Sequence, residues 1–257
     1  MDEETIKRLK YLRLSGLLAH WDEYLTLARK QGFSPVRLLQ YVLEQECQIK
    51  SENARRLRLQ RARIPDPYVM ETFPFSRQPT LDKKRILSLY DAFDYLAKSQ
   101  NIIWVGPTGC GKTGLATSFL IQTIHRGYTG RFVLFADLVT ELFKSVAAHS
   151  EQEVLKRYVS YDCLLIDEVG YLAYDNHAAD LLFQIVSRRY ERRSIVLTTN
   201  LVFADWNTAF PNAACATALI DRLTHHAEVL VIKGKSYRIR EAELAQEARR
   251  RGRRTQA

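Results

Sequence analysis

The stretch GPTGCGKT at 106–113 constrains this chain more tightly than any other feature. It fits G-x-x-x-x-G-K-[ST] at every fixed position, a pattern that has physical meaning where a buried strand enters a glycine-rich turn and leaves as a helix. Both flanks comply, with NIIWV before the turn and TGLATSFLIQTIH running out of it. Glycines let successive backbone N–H groups converge on phosphate oxygens, and the helix N-terminus adds positive potential. Gly106, Pro107, Thr108, Gly109, Cys110, Gly111, Lys112 and Thr113 are therefore expected to cradle the phosphates of ATP. In such a cradle Lys112 reaches the β- and γ-phosphates and the Thr113 hydroxyl ligates Mg²⁺.

The rest of the chain's second half reads as the scaffold such a turn requires. From Asn101 onward, the apolar runs NIIWVG, RFVLFA, CLLIDEV, SIVLTTN and EVLVIKG alternate with segments of helical period, including 112–126 and 177–192. Unbroken apolar runs of this length suit strands buried on both faces, so the pattern predicts an α/β fold with a parallel sheet between helices. KGKSYRIRE is expected to turn back as a final short hairpin strand. CLLIDEV places Asp167 at the carboxyl end of its strand, where ligands of open α/β sheets gather, to organise Mg²⁺. Glu168 beside it is the candidate base for an attacking water. Asn200 closes SIVLTTN with the polarity needed to position water or sense a γ-phosphate, and Thr198 and Thr199 share that neighbourhood.

The first half is different in kind. Within 2–63, Ile6, Leu9, Leu12, Leu17, Leu18, Trp21 and Leu25 recur at helical spacing until Gly32 stops the pattern. Ser34-Pro35 then reads as an N-cap and first-turn proline of a helix that carries Val36, Leu39, Val42, Leu43 and Cys47 on one face. Four prolines (Pro65, Pro67, Pro74 and Pro79) interrupt any regular element over 64–80, which reads as a linker, and a short helix over about 82–98 follows. The expected organisation is a helical N-terminal domain (1–63), the linker (64–80), an α/β domain (81–245) and a basic tail (246–257) read as disordered.

At 257 residues and 46% hydrophobic content the chain can bury a full core. It has no run approaching the roughly 18 apolar residues of a membrane span. The acidic start MDEETIKRLKYLR is unlike a signal peptide, so a cytoplasmic location without membrane contact is expected. Four scattered cysteines, without metal-ligand spacing, read as reduced thiols. Cys110 lies at a helix N-terminus, where a thiol pKa is expected to fall, so alkylation there should lower ATP binding and prior ATP should protect.

The net charge of +9 points to a polyanionic partner and is concentrated in two places. Lys50, Arg55, Arg56, Arg58, Arg61 and Arg63 against Glu52 leave +5 within 50–63, and nine basic residues against three acidic ones leave +6 within 233–257. Such clusters suit salt-dependent contact with the backbone of duplex DNA. Base reading is not indicated, because no helix-turn-helix, zinc-finger or base-stacking signature is evident.

The cradle, the Asp167-Glu168 strand end and the Thr-Thr-Asn strand end, in this order and spacing, resemble a AAA+ ATPase, which implies strand order 5-1-4-3-2. IDEVGYL, LLFQIVSRRYERRSIVLTTN, FADW and ALIDRLTHHAEVLVIKGKSYRIRE narrow the resemblance to IstB-like ATP-binding proteins of insertion sequences, relatives of DnaC-type helicase loaders. LRLSGLLAHWDEYL and FPFSRQPTLDK extend it over almost the whole chain. The resemblance implies Lys112, Asp167, Glu168 and Asn200 as catalytic residues. It adds Arg222 as an arginine finger serving a neighbouring subunit and Arg238 as a second sensor, hence a homo-oligomer with shared ATP sites. Lys144, Lys156 and Arg157 fall where DNA-handling AAA+ relatives insert a contact element. The implied function is a transposition helper that assembles on target DNA with ATP and works with a cognate transposase. A DnaC-like helicase loader and an ATP-dependent protein-binding switch are the alternatives. Cys110 stands where the family commonly carries another small residue.

Overall fold

The computed structural model describes residues 1–171, 176–210, 213–234 and 236, and the chain divides into two compact units, Met1–Arg58 and Leu59–Ala257. The first unit holds α1 (Glu3–Tyr11), α2 (Ser15–Gln31) and most of α3 (Pro35–Ala62). Its boundaries follow capping chemistry. Asp2 accepts the Thr5 N–H at 2.8 Å to start α1, Gly32 ends α2 at φ 64°, and Ser34 Oγ accepts the Arg37 N–H at 3.2 Å ahead of Pro35. The apolar period expected to run on from Ile6 is broken between α1 and α2, where Arg13 turns left-handed at φ 55° and leaves Leu12 exposed. Val36, Leu39, Leu43 and Cys47 also stay exposed. The seam between α2 and α3 is offset from that stripe: Tyr41 meets Tyr24 edge-on, and the buried Glu46 carboxylate accepts the Leu17 N–H.

The second unit is built on five parallel strands, β1 (Asn101–Val105), β2 (Gly130–Leu134), β3 (Cys163–Val169), β4 (Ser194–Thr199) and β5 (Ala227–Val231). Their order, β2-β3-β4-β1-β5, is the 5-1-4-3-2 arrangement expected above. The connecting helices are α4 (Lys83–Ala92), α5 (Lys112–His125), α6 (Phe135–Ala147), α7 (Glu151–Ser160), α8 (Asn176–Arg189), α9 (Trp206–Ala209) and α10 (Ala213–Thr224). Two boundaries differ from expectation. Phe135 and Ala136 open α6 instead of extending β2, and the helix after the prolines stops at Ala92, because Phe93 adopts φ 48°. The hairpin foreseen in KGKSYRIRE lies largely outside the described residues.

Strand alternation between two buried faces explains the long apolar runs of β1, β3 and β4. Ile103, Val105, Leu164, Ile166, Ile195 and Leu197 face one core, closed by residues of α6 to α10. Ile102, Trp104, Cys163, Leu165 and Val196 face a second core, which is closed by α5 and reaches Ala62, Met70 and Ile86. The amino ends of the strands are tied by two polar side chains. Asn101 accepts the Ile195 N–H at 2.8 Å and donates to Leu223 O at 3.0 Å. Arg189, fully buried, donates to the carbonyls of Tyr158, Val159, Tyr161, Asp162 and Ser194 at 2.6–3.3 Å. Burial lowers its pKa to about 10, so it remains a cation at neutral pH, set against the carbonyl end of α7 where the helix dipole favours it.

The proline-dense stretch 64–80 forms two short 3-10 turns, Met70–Thr72 and Phe75–Arg77, and lays Met70 and Gln78 into the protein at 3% and 5% exposure. Among the described residues, no helix is long and apolar enough to cross a membrane.

Phe119 on α5 is buried among the rings of Tyr90, Tyr95 and Trp104, which fixes the helix that carries the phosphate loop. Phe119→Ala is expected to cost about 3–5 kcal/mol in urea unfolding, since so rigid an aromatic cluster cannot collapse into the cavity.

Candidate nucleotide-binding site

β1 delivers the loop at 106–111 to the carboxyl edge of the sheet, pinned on both sides. The Gly106 N–H donates to Thr199 O at 3.1 Å, and the Ile232 N–H donates to Val105 O at 2.8 Å. A Cβ on Gly106 would lie 2.6 Å from Ile232 O, so the strand end tolerates no side chain there. Gly111 takes φ 96° as the N-cap of α5, with Phe73 packed so closely that a Cβ would come within 2.9 Å of its ring. The Lys112 ammonium sits inside the loop's concavity, donating to Gly106 O and Pro107 O at 2.8 Å each.

The neighbouring strands add the acids. The Asp167 carboxylate is 2% exposed and accepts the Thr113 hydroxyl at 3.1 and 3.2 Å and the Thr198 hydroxyl in a shorter bond. Thr198 in turn accepts the Glu168 N–H at 3.0 Å, which fixes the direction of its own proton toward Asp167. Burial raises the Asp167 pKa, opposed by the hydrogen bonds from Thr198 and Thr113 and by the Lys112 charge. In a regular strand Asp167 and Glu168 would point to opposite faces. Here the β3–β4 register shifts between Ile166 and Val169 and Glu168 takes φ 62°, so both carboxylates line one cavity, Asp167 buried and Glu168 exposed. Asn200, just past β4, lines it too, and its Oδ1 is buried without a hydrogen-bond partner among the described residues. An orphaned acceptor beside a buried carboxylate and a lysine suits a water or phosphate hydroxyl.

The cavity, about 900 Å³, also has a wall that the sequence did not assign to the site. Tyr68, Val69, Phe73 and Gln78 line it from the proline-dense segment. Gln78 Nε2 donates to Cys110 O at 3.2 Å, Thr80 Oγ1 donates to Lys233 O at 2.7 Å, and the Tyr68 ring packs over Gly114. The clustering of aromatics with prolines in that stretch was the one available signal.

Of the other expected site residues, one reaches this cavity and the rest lie elsewhere or outside the described residues. Arg63 lines this same cavity, as does Arg131, whose guanidinium donates to Arg61 O. Lys50, Arg55, Arg56 and Arg58 lie on α3 in the first unit, where Arg55 pairs with Glu52 at 2.6 Å and Arg56 donates to Asn53. Lys144 and Lys156 are exposed on α6 and α7, and Arg157 is paired with Glu141. Arg222 packs its guanidinium 4.7 Å from the Phe183 ring centroid and donates to Ala218 O, and it does not line the cavity. Arg238 lies outside the described residues.

Cys110 corrects an expectation. The residue is 1% exposed, and burial raises the thiol pKa despite the nearby Lys112 charge, where the helix N-terminus alone would lower it.

A parallel 5-1-4-3-2 sheet in which β1 feeds a phosphate loop and an acid pair ends β3, on the far side of β4, is the fold of the AAA+ class of P-loop ATPases. Solved structures agree at the level of fold. AMPPCP-bound DnaA from Aquifex aeolicus superposes with a TM-score of 0.55 at 20% identity, covering 66% of this chain and 51% of that one. The DnaC helicase loader does so with a TM-score of 0.51 at 22% identity, covering 59% of this chain and 90% of that one. More specifically, the chain belongs to the IstB-like ATP binding proteins, whose family model matches residues 7–245. A Geobacillus stearothermophilus relative named as an ATP-binding protein of insertion sequence IS5376 is 34% identical over 96% of this chain and 98% of its own length. One from Pseudomonas aeruginosa, named for insertion sequence IS21, is 34% identical over 91% of this chain and 88% of its own.

Two outcomes follow from the buried groups. Cys110 should react slowly with iodoacetamide whether or not ATP is present, while the exposed Cys47 labels readily; peptide mass spectrometry that finds equal rates refutes the burial argument. Because the Asp167 pKa is raised on folding, the folded chain binds this proton more tightly than the unfolded chain. Stability from this group is therefore greatest below the ordinary carboxylate range and is lost as pH rises through the folded value. Asp167→Asn should raise Tm at neutral pH, with the gain shrinking toward about pH 4; thermal unfolding across that range tests the sign.

Proposed function

We propose that this chain is an ATP-hydrolysing, DNA-binding helper of transposition that assembles on target DNA and works with a cognate transposase. The observation that carries the reading is the division of the catalytic groups. Lys112, Thr113, Asp167, Glu168 and Asn200 line one cavity, while Arg222 stands outside it, available to a neighbouring copy. Family membership and relatives named for insertion sequences support the transposition context. The exposed basic residues of α3 support contact with DNA phosphates.

In this mechanism the loop N–H groups and Lys112 bind the β- and γ-phosphates, and the Tyr68 and Phe73 rings form the apolar wall beside them. Thr113 and Asp167, already hydrogen-bonded to each other, fit a hard, octahedral cation, and Mg²⁺ held there would neutralise developing phosphate charge. Glu168 takes the proton of the attacking water as its oxygen bonds to the γ-phosphorus. The bond from that phosphorus to the β–γ bridging oxygen breaks, and ADP leaves with its negative charge. The Asn200 carboxamide orients the water. Arg222 from the adjoining subunit stabilises the transition state, so hydrolysis depends on assembly.

Lys112→Ala should abolish nucleotide binding and ATP-dependent DNA assembly together. Glu168→Gln should bind ATP and DNA but hydrolyse ~10²–10⁴-fold more slowly, and Arg222→Ala should lose ~10³-fold or more. Mixing these last two inactive variants should restore hydrolysis on DNA, since a Glu168 from one subunit meets an Arg222 from the other. A mixture as inactive as its parts rejects the shared site, and capture of a replicative helicase in place of a transposase rejects the transposition role.

A further inference from the structure

At the amino ends of the strands, opposite the phosphate loop, two turns converge. Glu191 follows α8 on the way to β4, and His225 with His226 joins α10 to β5. His226 Nε2 lies 3.3 Å and His225 Nδ1 3.8 Å from the same oxygen, Glu191 Oε1, and the three ligand atoms all fall within 4.8 Å of one another. The imidazole centroids are 4.0 Å apart, and Tyr190 OH is 2.6 Å from His225 Nδ1. None of these residues lines the nucleotide cavity.

We propose that Glu191, His225 and His226 form a zinc-binding site. A tetrahedral Zn²⁺ with bonds of about 2.0–2.2 Å spaces its donors about 3.3–3.6 Å apart, so the observed separations need only small side-chain rotations. Imidazole nitrogens with one carboxylate favour zinc over magnesium or calcium, which prefer all-oxygen shells. The three side chains are each about half exposed, so the ion has access and solvent can fill the remaining coordination position.

The backbone under the cluster is fixed before any metal arrives. The Asn101 N–H donates to His226 O at 2.8 Å, the His225 N–H donates to Asp221 O at 3.0 Å, and Glu191 is turned at φ 55° directly behind α8. The Tyr190 hydroxyl, 2.6 Å from His225 Nδ1, rotates away to free that nitrogen when the metal binds. Bound zinc would clamp the end of α8 to the end of α10. These are the two helices that carry Phe183 and the Arg222 guanidinium stacked on it, so the ion would brace the residue proposed to serve the neighbouring subunit.

The test uses the full, tag-free chain with Cys47→Ser to remove the exposed thiol. Competition against a chromogenic chelator should give saturable uptake of one Zn²⁺ that Mg²⁺ in large excess does not displace. His225→Ala, His226→Ala and Glu191→Gln should each weaken it at least about tenfold. Co²⁺ in place of zinc should give visible bands that His226→Gln, which keeps a polar side chain in the turn, reduces. Retained ATP binding by the variants reports that they are folded. Equal zinc uptake by the parent and the His225→Ala/His226→Ala chain, or absence of both saturable uptake and cobalt bands in the parent, overturns the proposal.

Discussion

The buried carboxylate of Asp167 is the constraint on which the site depends. An ionised group at 2% exposure is costly unless its lone pairs are met, and here they are met by hydroxyls from two other chain segments, Thr113 at the head of α5 and Thr198 on β4. That single arrangement ties the phosphate loop, the acid strand and the neighbouring strand into one rigid edge. It also presets the direction of the Thr198 proton and, through the Glu168 N–H, the turn that brings the second carboxylate to the cavity. Burial raises the pKa of Asp167, the direction expected of a carboxylate held away from water.

A second fastening operates from outside the sheet. The segment 64–80 presses Phe73 on Gly111, Tyr68 on Gly114 and the Gln78 amide on Cys110 O, so the loop is gripped along its outer side while β4 and β5 hold its root. Prolines suit this role, because they hold an extended course without asking for ladder partners. The same grip encloses the Cys110 thiol, so burial raises its pKa where a helix N-terminus alone would lower it. At the opposite edge, Asn101 and Arg189 satisfy backbone carbonyls and amides around the strand starts, and so stabilise the frame on which α8 and α10 rest.

Much of this was legible in advance, for reasons that differ by residue. GPTGCGKT announced itself because its chemistry is local: glycine torsions, a lysine and a threonine within eight residues. The place of Asp167, Glu168 and Asn200 beside that loop was legible because strand ends at the carboxyl edge are readable from where an apolar run stops. The stripe Val36, Leu39, Leu43 was readable as a helix face, yet periodicity does not say which face is covered, and α2 meets α3 through Tyr41 and Glu46 instead. Tyr68, Phe73 and Gln78 gave only a weak signal, since nothing in a proline-rich stretch specifies the distant loop it will touch.

By itself, then, the sequence determined the elements, their alternation and the positions of the glycine-rich loop and the Asp167-Glu168 pair, because torsional preference and hydrophobic period act over a few residues. Only the tertiary structure decided which hydroxyls share the Asp167 charge, that Cys110 is sealed, that Arg222 stands away from its own cavity, and that Glu191 meets His225 and His226. These are contacts between segments about 30 to 55 residues apart, set by β-strand order and helix packing, and no local pattern encodes a distance across the fold.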